Sequence, residues 1–381
     1  MTSYSGPVPD PPGPATGTSA SRKEPPGLVT RLTEMVGCRH PVVQTGMGYV
    51  AGARLAAATS AAGGLGVIAA ATMPVEQMTA AIRSVKERTD APFGVNIRSD
   101  ADDAGERIDV MIREGVRVAS FALAPKRELI ARLKDAGVLT IPSVGARRHA
   151  EKVAAWGVDA VIVQGGEGGG HTGAVPTTVL LPQVVDAVDI PVIAAGGFCD
   201  GRGLVAALSY GACGVAMGTR FLLTSDSTVG DEVKKVYLGT AETVVTTRVD
   251  GVPHRVLRTP FVDSLERSRL RLLRAVANGA RFKRLSGMSW AAMIREGRRM
   301  RHGRDLTWAQ VLQAANTPVL LKAAMVDGRA DLGVMASGQV VGLIDDLPSC
   351  AELIDRIMWE AHAVLDHLDH LNRLDRLDRT P

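Results

Sequence analysis

The chain has 381 residues, 46% of them hydrophobic and 22% charged, with a net charge of only +4; this is ample material for a large core and ordinary for a globular enzyme. No apolar run approaches the ~18 residues of a membrane helix, and aromatics at 4% leave too few stacking platforms for a nucleic-acid binder. Cys38, Cys199, Cys213 and Cys350 are scattered without a C-x-x-C pair, the pattern of reduced thiols rather than of a disulfide frame or a zinc site, so a cytoplasmic protein without a metal centre is expected.

Residues 1–27 hold seven prolines and almost no large apolar side chain; such a stretch cannot repay the entropy of ordering and reads as a disordered leader. It also lacks the apolar core of a secretory signal. From Pro41 one unit repeats: a short apolar or β-branched run, a loop of small residues, then an Ala-rich helical pattern. Strands are expected over Pro41–Gln44, Leu65–Ala69, Phe93–Ile97, Val116–Ala122, Leu139–Ser143, Ala160–Val163, Pro191–Ala195 and Gly214–Met217. Eight strands alternating with helices imply a parallel sheet with right-handed crossovers. Closure into a (β/α)8 TIM barrel is the economical form. The open doubly wound alternative lacks its fingerprint, since the first strand leads into Thr45-Gly46-Met47-Gly48-Tyr49 rather than G-x-G-x-x-G.

After the eighth strand the pattern changes. Residues 225–325 read as a small, mainly helical domain over one end of the barrel, with a hairpin of Thr243–Val249 and Arg255–Thr259 around Asp250-Gly251-Val252-Pro253. Residues 326–364 return to the barrel and close it with a helix from Cys350 to Leu368. In the tail, 365–381, leucines fall every third residue from Leu365 to Leu377. That stripe winds around an α-helix, so a fraying end is expected rather than a zipper. His367 and His370 there have metal-like spacing but no further ligands, and read as solvent-facing.

Charge is unevenly placed: Arg248 to Arg304 carries 15 Lys plus Arg against 4 Asp plus Glu. The plain reading of Arg267, Arg271 and Arg274, and of Arg295, Arg298, Arg299 and Arg301, is a set of solvated helix faces. The sharper one is that some of them receive the phosphates of coenzyme A or of a nicotinamide cofactor by bidentate contacts.

The most informative stretch is Gln164-Gly165-Gly166-Glu167-Gly168-Gly169-Gly170-His171-Thr172-Gly173. It opens at the carboxyl end of the sixth strand, where barrel enzymes carry their functional loops. Its glycines allow close backbone approach to a ligand, and its one imidazole, His171, is a candidate acid or base near neutral pH. Glu167 is a possible second acid, but reads more simply as an exposed loop carboxylate or a partner for a nearby arginine. The seventh strand ends in Ala194-Ala195-Gly196-Gly197 and the eighth in Met217-Gly218-Thr219, both able to present backbone N–H groups to a phosphate. Ser143 ends the fifth strand facing the same mouth, and Gln339 stands ready to close the site from a late loop; for each, a substrate contact and a plain turn or strand-end role remain open.

With these motifs in place, the chain resembles the nitronate monooxygenase family of FMN-dependent barrel enzymes over about residues 28–360. The resemblance rests on the glycine-His loop, Ala194 to Gly197, Gly218 to Leu222, Gln44 to Gly48, Gly94-Val95-Asn96-Ile97 and Ser337-Gly338-Gln339. Within that family it is similar to flavin oxidoreductases acting on CoA thioesters in bacterial breakdown of steroid rings C and D, notably over Arg117 to Leu123 and Asp345 to Glu352.

The resemblance implies FMN, with its phosphate on Gly196, Gly197, Gly218 and Thr219. The ring would lie against Thr45, Gly46 and Met47, where the family often has Ala-Pro-Met. Asn96 and Gln164 would bond its polar atoms, Gly169 and Gly170 would leave it room, and His171 would be the catalytic base. It implies proton abstraction by His171 coupled to hydride transfer with flavin N5 on a ring-type acyl-CoA. A nitronate monooxygenase using O2 and an NAD(P)H-dependent enoyl reductase are the alternatives, and a catalytically idle flavin-binding protein is the reading from a different class. The expected partners are a small-molecule substrate, with neither nucleic acid nor membrane; a homo-oligomer is left open.

Overall fold

The computed structural model describes residues 24–122, 125–249, 251–267 and 320–378, the side chains of 374–378 excepted. Eight parallel strands close into a barrel: β1 (Val42–Gln44), β2 (Leu65–Ala69), β3 (Phe93–Ile97), β4 (Val118–Phe121), β5 (Leu139–Val144), β6 (Val161–Gln164) and, after the outlying two-residue β7 (Gly170–His171), β8 (Val192–Ala195) and β9 (Val215–Met217). The ring shuts where Val42 pairs with Val215 and Val43 with Ala216. The (β/α)8 barrel expected from the sequence is present.

Alternation with a period of two sorts each strand between two cores. Val43, Ile162, Ile193 and Ala216 point inward with Leu65, Val67 and Ile141, and Leu32 and Val36 of the helix Arg31–Val36 join them. Val42, Val161, Val163, Val192 and Val215 point outward against Leu55, Leu180, Leu204 and Ile357 of the surrounding helices. The strands are therefore apolar on both faces, as a parallel barrel requires. Gly66 is needed for this packing: a Cβ there would lie 2.0 Å from the Ala56 carbonyl oxygen, so the helix Ala53–Ala61 rests directly on β2.

Most strand ends differ from expectation by one to three residues, and two differences, at the start of β4 and at the end of the closing helix, are informative. β4 starts at Val118, because the Val116 amide is spent on the Met111 carbonyl in the turn before it. The closing helix runs from Cys350 to Asp378 rather than ending near Leu368, with an Arg373–Asp369 ion pair one turn apart in its last turns. Leu368 and Leu371 are exposed on it.

After β9 come the short helix Thr219–Leu222, the helix Asp231–Leu238, strands β10 (Thr243–Thr246) and β11 (His254–Leu257), and the helix Pro260–Arg267. Residues 268–319, including Arg271, Arg274, Arg295, Arg298, Arg299 and Arg301, lie outside the described residues, as do residues 1–23. The expected hairpin forms but is not a pair of strands alone. β7, out of the glycine-rich loop, adds to it as a third antiparallel strand, in the order β10-β11-β7. No helix of the described residues is long and apolar enough to cross a membrane.

Candidate active site

The loops at the carboxyl ends of the barrel strands are tied to one another. Gly46 touches the third strand: a Cβ at Gly46 would sit 2.6 Å from that of Asn96. Asn96, almost buried, donates through Nδ2 to Ser120 Oγ on β4 at 3.2 Å. On the other side, a Cβ at Gly218 would come within 3.5 Å of Met47 Sδ and Thr45 Cγ2, and the Thr45 amide donates to the Met217 carbonyl at 3.2 Å. Thr45, Gly46, Met47, Asn96 and Gly218 thus form one continuous wall.

The glycine-rich loop is held from several directions. Gln164 Nε2 donates to the His171 carbonyl at 2.8 Å, bending the loop back on its own start. Gly168 permits this, for a Cβ there would lie 2.6 Å from that same Nε2. The space beside Gly169 is taken by the late loop: a Cβ would strike Ser337 and Gly338 backbone at 2.6 and 2.7 Å. The direction that a side chain at Gly169 would take is therefore filled by the backbone of the late loop. Gly170 has φ +75 and is open, the nearest atom to a Cβ being His254 Nε2 at 4.0 Å.

Glu167 is half-buried rather than exposed, and its charge acts on nearby Arg255, though no ion pair joins it to an arginine among the described residues. It accepts from the Thr177 amide at 2.9 Å and from Thr177 Oγ1 at 2.7 Å. It thereby caps the helix Thr177–Val185, whose first amides lack intrahelical acceptors. Its backbone carbonyl accepts the Gln339 amide at 3.0 Å. Gln339 itself is exposed at the rim, and Ser143 is half-buried near the end of β5, paired with Ile162.

Gly196 and Gly197 end β8 with φ +88 and +91. A Cβ at Gly196 would lie 3.0 Å from the Gly165 carbonyl oxygen and 3.1 Å from the Gly168 nitrogen, so only glycine suits both the backbone and the space. The helix Thr219–Leu222 starts at Gly218. Thr219 Oγ1 accepts the Gly338 amide at 2.9 Å, which pins the late loop over the end of β9. Below it, Arg220 is buried and donates to Asp346 at 2.8 Å through Nη1 and to the Leu223 carbonyl at 2.6 Å through Nη2. Burial pulls the Arg220 pKa down while Asp346 opposes the shift. Asp346 also accepts from Arg356 of the closing helix at 2.6 Å.

His171 is exposed at the mouth, on β7. It pairs with His254 of β11, and the two rings lie 4.7 Å apart between centroids. His254 is buried, 3% exposed. Sequence reasoning missed this neighbour: β11 was legible as half of a hairpin, but its attachment to β7 leaves no local trace.

These residues suit a flavin phosphate and ring. Backbone at Gly197 and Gly218 stays partly open, in a cradle that side chains would fill, and the carboxamides of Asn96 and Gln164 stand beside Gly46 and Gly168. Glu167 turns its charge to Thr177 rather than toward an anion.

Comparison with known proteins places the chain in a family. The sequence model of the nitronate monooxygenase family matches residues 29–360. The chain belongs to the nitronate monooxygenase family. Members of this family are flavin-dependent oxidoreductases, and the chain is an enzyme of that kind. It is 67% identical over 341 residues to a (3aS,4S,5R,7aS)-5-hydroxy-7a-methyl-1-oxo-octahydro-1H-indene-4-carboxyl-CoA dehydrogenase of Mycobacterium tuberculosis, covering 88% of this chain and 96% of that one. A protein of the same name from Rhodococcus jostii is 62% identical over 345 residues, 90% of this chain and 98% of the other. Among solved structures, FabK from Thermotoga maritima superposes with a TM-score of 0.76 at 34% identity, over 90% of this chain and 99% of that one. This nitronate monooxygenase family member thus has full-length relatives that act on a CoA thioester.

Proposed function

We propose that the protein is an FMN-dependent dehydrogenase of a bicyclic indene-carboxyl-CoA thioester from steroid C/D-ring breakdown. The observation that carries the choice of substrate is the likeness, at 67% and 62% identity over nearly the whole chain, to two dehydrogenases of that name. The geometry supports the choice of base: His171 is the imidazole exposed at the end of the glycine-rich loop, beside the strand ends suited to a flavin.

In this reading Gly196, Gly197, Gly218 and Thr219 hold the FMN phosphate through backbone amides, and Thr45, Gly46 and Met47 lie along the ring with Asn96 and Gln164. Gly170 keeps the approach to His171 open. A bound FMN supplies the hydride acceptor. His171 takes the proton from the carbon that bears the thioester, whose acidity the carbonyl provides, and a carbon–carbon double bond forms as a hydride leaves the neighbouring ring carbon. Ser143 and Gln339 contact the substrate from the rim. NAD(P)+, leaving as NAD(P)H, or O2 takes the electrons onward. The barrel is residues 28–224, 225–325 forms a small lid domain, 326–364 returns to the barrel and 365–381 is a tail; the enzyme acts in the cytoplasm.

The test is anaerobic mixing of the FMN-loaded full chain with the indene-carboxyl-CoA and, separately, with nitroethane. Flavin bleaching by the thioester alone is expected, with His171→Gln retaining FMN and slowing bleaching by on the order of 100-fold or more. Bleaching by nitroethane alone would instead make this a nitronate-oxidising member, and an unaltered His171→Gln rate would remove the histidine from the mechanism.

A further inference from the structure

β11 touches both loops that close over the mouth. The Ser337 amide of the late loop donates to the Arg255 carbonyl at 3.3 Å. Arg255 stands opposite Gly170 in the ladder, and His254 opposite His171. Side chains alternate across a strand, so His254 shares a face with His171 while Arg255 emerges on the other, over a residue that has no side chain.

The Arg255 guanidinium reaches the start of the glycine-rich loop. Arg255 Nε and Nη2 both donate to the Gly166 carbonyl, at 3.1 and 2.9 Å, and Nη1 donates to Thr243 Oγ1 on β10 at 2.9 Å. One planar side chain thus bolts the hairpin to the loop 89 residues earlier in the chain. Burial pulls its pKa below the ordinary arginine value, and the charge of Glu167 pulls it back up; Glu167 is itself committed to Thr177. A half-buried cation leaning on a carbonyl makes the stronger, charge-assisted class of hydrogen bond.

We infer that Arg255 is the positioning residue for His171: by gripping the Gly166 carbonyl it fixes the glycine-rich loop, and with it the imidazole at the loop's far end. A loop of this composition has a large conformational entropy to lose, so an unanchored His171 would be spread over many positions. Reacting groups displaced by about 1 Å lose on the order of 100-fold in rate. These Arg255 donors are spent on protein acceptors, the Gly166 carbonyl and Thr243 Oγ1. The inference rests on the proposed role of His171 for its effect on turnover, but not for its effect on the loop.

The experiment compares wild type, Arg255→Met, Arg255→Lys and His171→Gln as FMN-loaded full chains. Amide hydrogen exchange is followed by mass spectrometry on peptides spanning 164–173, alongside turnover of the indene-carboxyl-CoA. In Arg255→Met the loop is expected to exchange at least about tenfold faster, while peptides of the helices Val75–Lys86 and Ala104–Arg113 stay unchanged. The kcat is expected to fall about 10- to 100-fold with KM within about threefold. Arg255→Lys, which keeps a charged donor but loses the planar pair of contacts, should recover part of both. Unchanged loop exchange in Arg255→Met overturns the inference, as does a loosened loop with wild-type kcat while His171→Gln is inactive. Wild-type turnover in His171→Gln would instead remove the base, leaving the exchange result to decide the role of Arg255.

Discussion

The imidazoles of His171 and His254 meet across the β7–β11 ladder with centroids 4.7 Å apart and planes tilted by 55°. One ring is at the solvent edge of the mouth and the other is buried. The buried ring is therefore a backstop that limits where the outer one can rotate. We predict that His254→Ala, which opens a cavity behind His171, destabilises the protein by roughly 2–4 kcal/mol. It should also lower kcat more than His254→Phe, which keeps the ring. Urea denaturation and steady-state kinetics on the two variants check this; equal kcat values for Ala and Phe would mean that the contact does not orient His171.

Much of the barrel was legible because its signals are local. Alternating small loops and β-branched runs fix strands such as Leu65–Ala69 and Phe93–Ile97 to the residue, and the run of glycines before His171 marks a loop wherever the chain goes next. What was not legible depends on partners distant in sequence. Nothing near Gly166 announces Arg255, and nothing near Gly169 says that Ser337 and Gly338 will occupy its open side. Glu167 was misread for the same reason: a carboxylate in a glycine-rich loop looks solvent-exposed until the fold brings the N-terminus of Thr177–Val185 against it.

Gly196 combines φ +88 with backbone atoms at 3.0–3.2 Å around the position a Cβ would take. Alanine there meets a strained conformation, worth about 1–2 kcal/mol, and rigid neighbours that cannot retreat as a side chain would. Gly196→Ala is predicted to lower the melting temperature and to weaken FMN retention together, since the strand end that must shift is the proposed phosphate support. Fluorescence of released FMN during thermal unfolding reads both. Retention equal to wild type would take this strand end out of the cofactor site.

The bond from Gly338 to Thr219 Oγ1 joins the late loop to the end of β9, and both residues are buried. Thr219→Val keeps the shape and deletes the acceptor, leaving a buried amide unsatisfied at a cost of about 1–3 kcal/mol. Thr219→Ser keeps the hydroxyl and is expected to stay within about 0.5 kcal/mol of wild type. Denaturation curves for the pair separate the hydrogen bond from the packing. Equal losses in the two variants would show that the methyl group, not the hydroxyl, holds the loop.

At the opposite end of the barrel, His40 is fully buried just before β1, and neither ring nitrogen has a hydrogen-bond partner among the described residues. Burial lowers its pKa to about 4, helped by the charges of Arg39 and His362 and opposed by Glu24. A histidine in the unfolded chain titrates near 6.5. Between those values the unfolded state binds the proton that the folded state refuses, so stability falls as pH drops from about 6.5 toward 4 and is restored as pH rises. The difference amounts to about 3 kcal/mol over the whole window. His40→Phe fills the site with a ring that neither titrates nor needs a partner. It is predicted to match or exceed wild-type stability at pH 7.5 and to lose markedly less of it by pH 4.5, as followed by denaturant midpoints at both pH values. Parallel losses in the two proteins would place the acid sensitivity in the carboxylates instead.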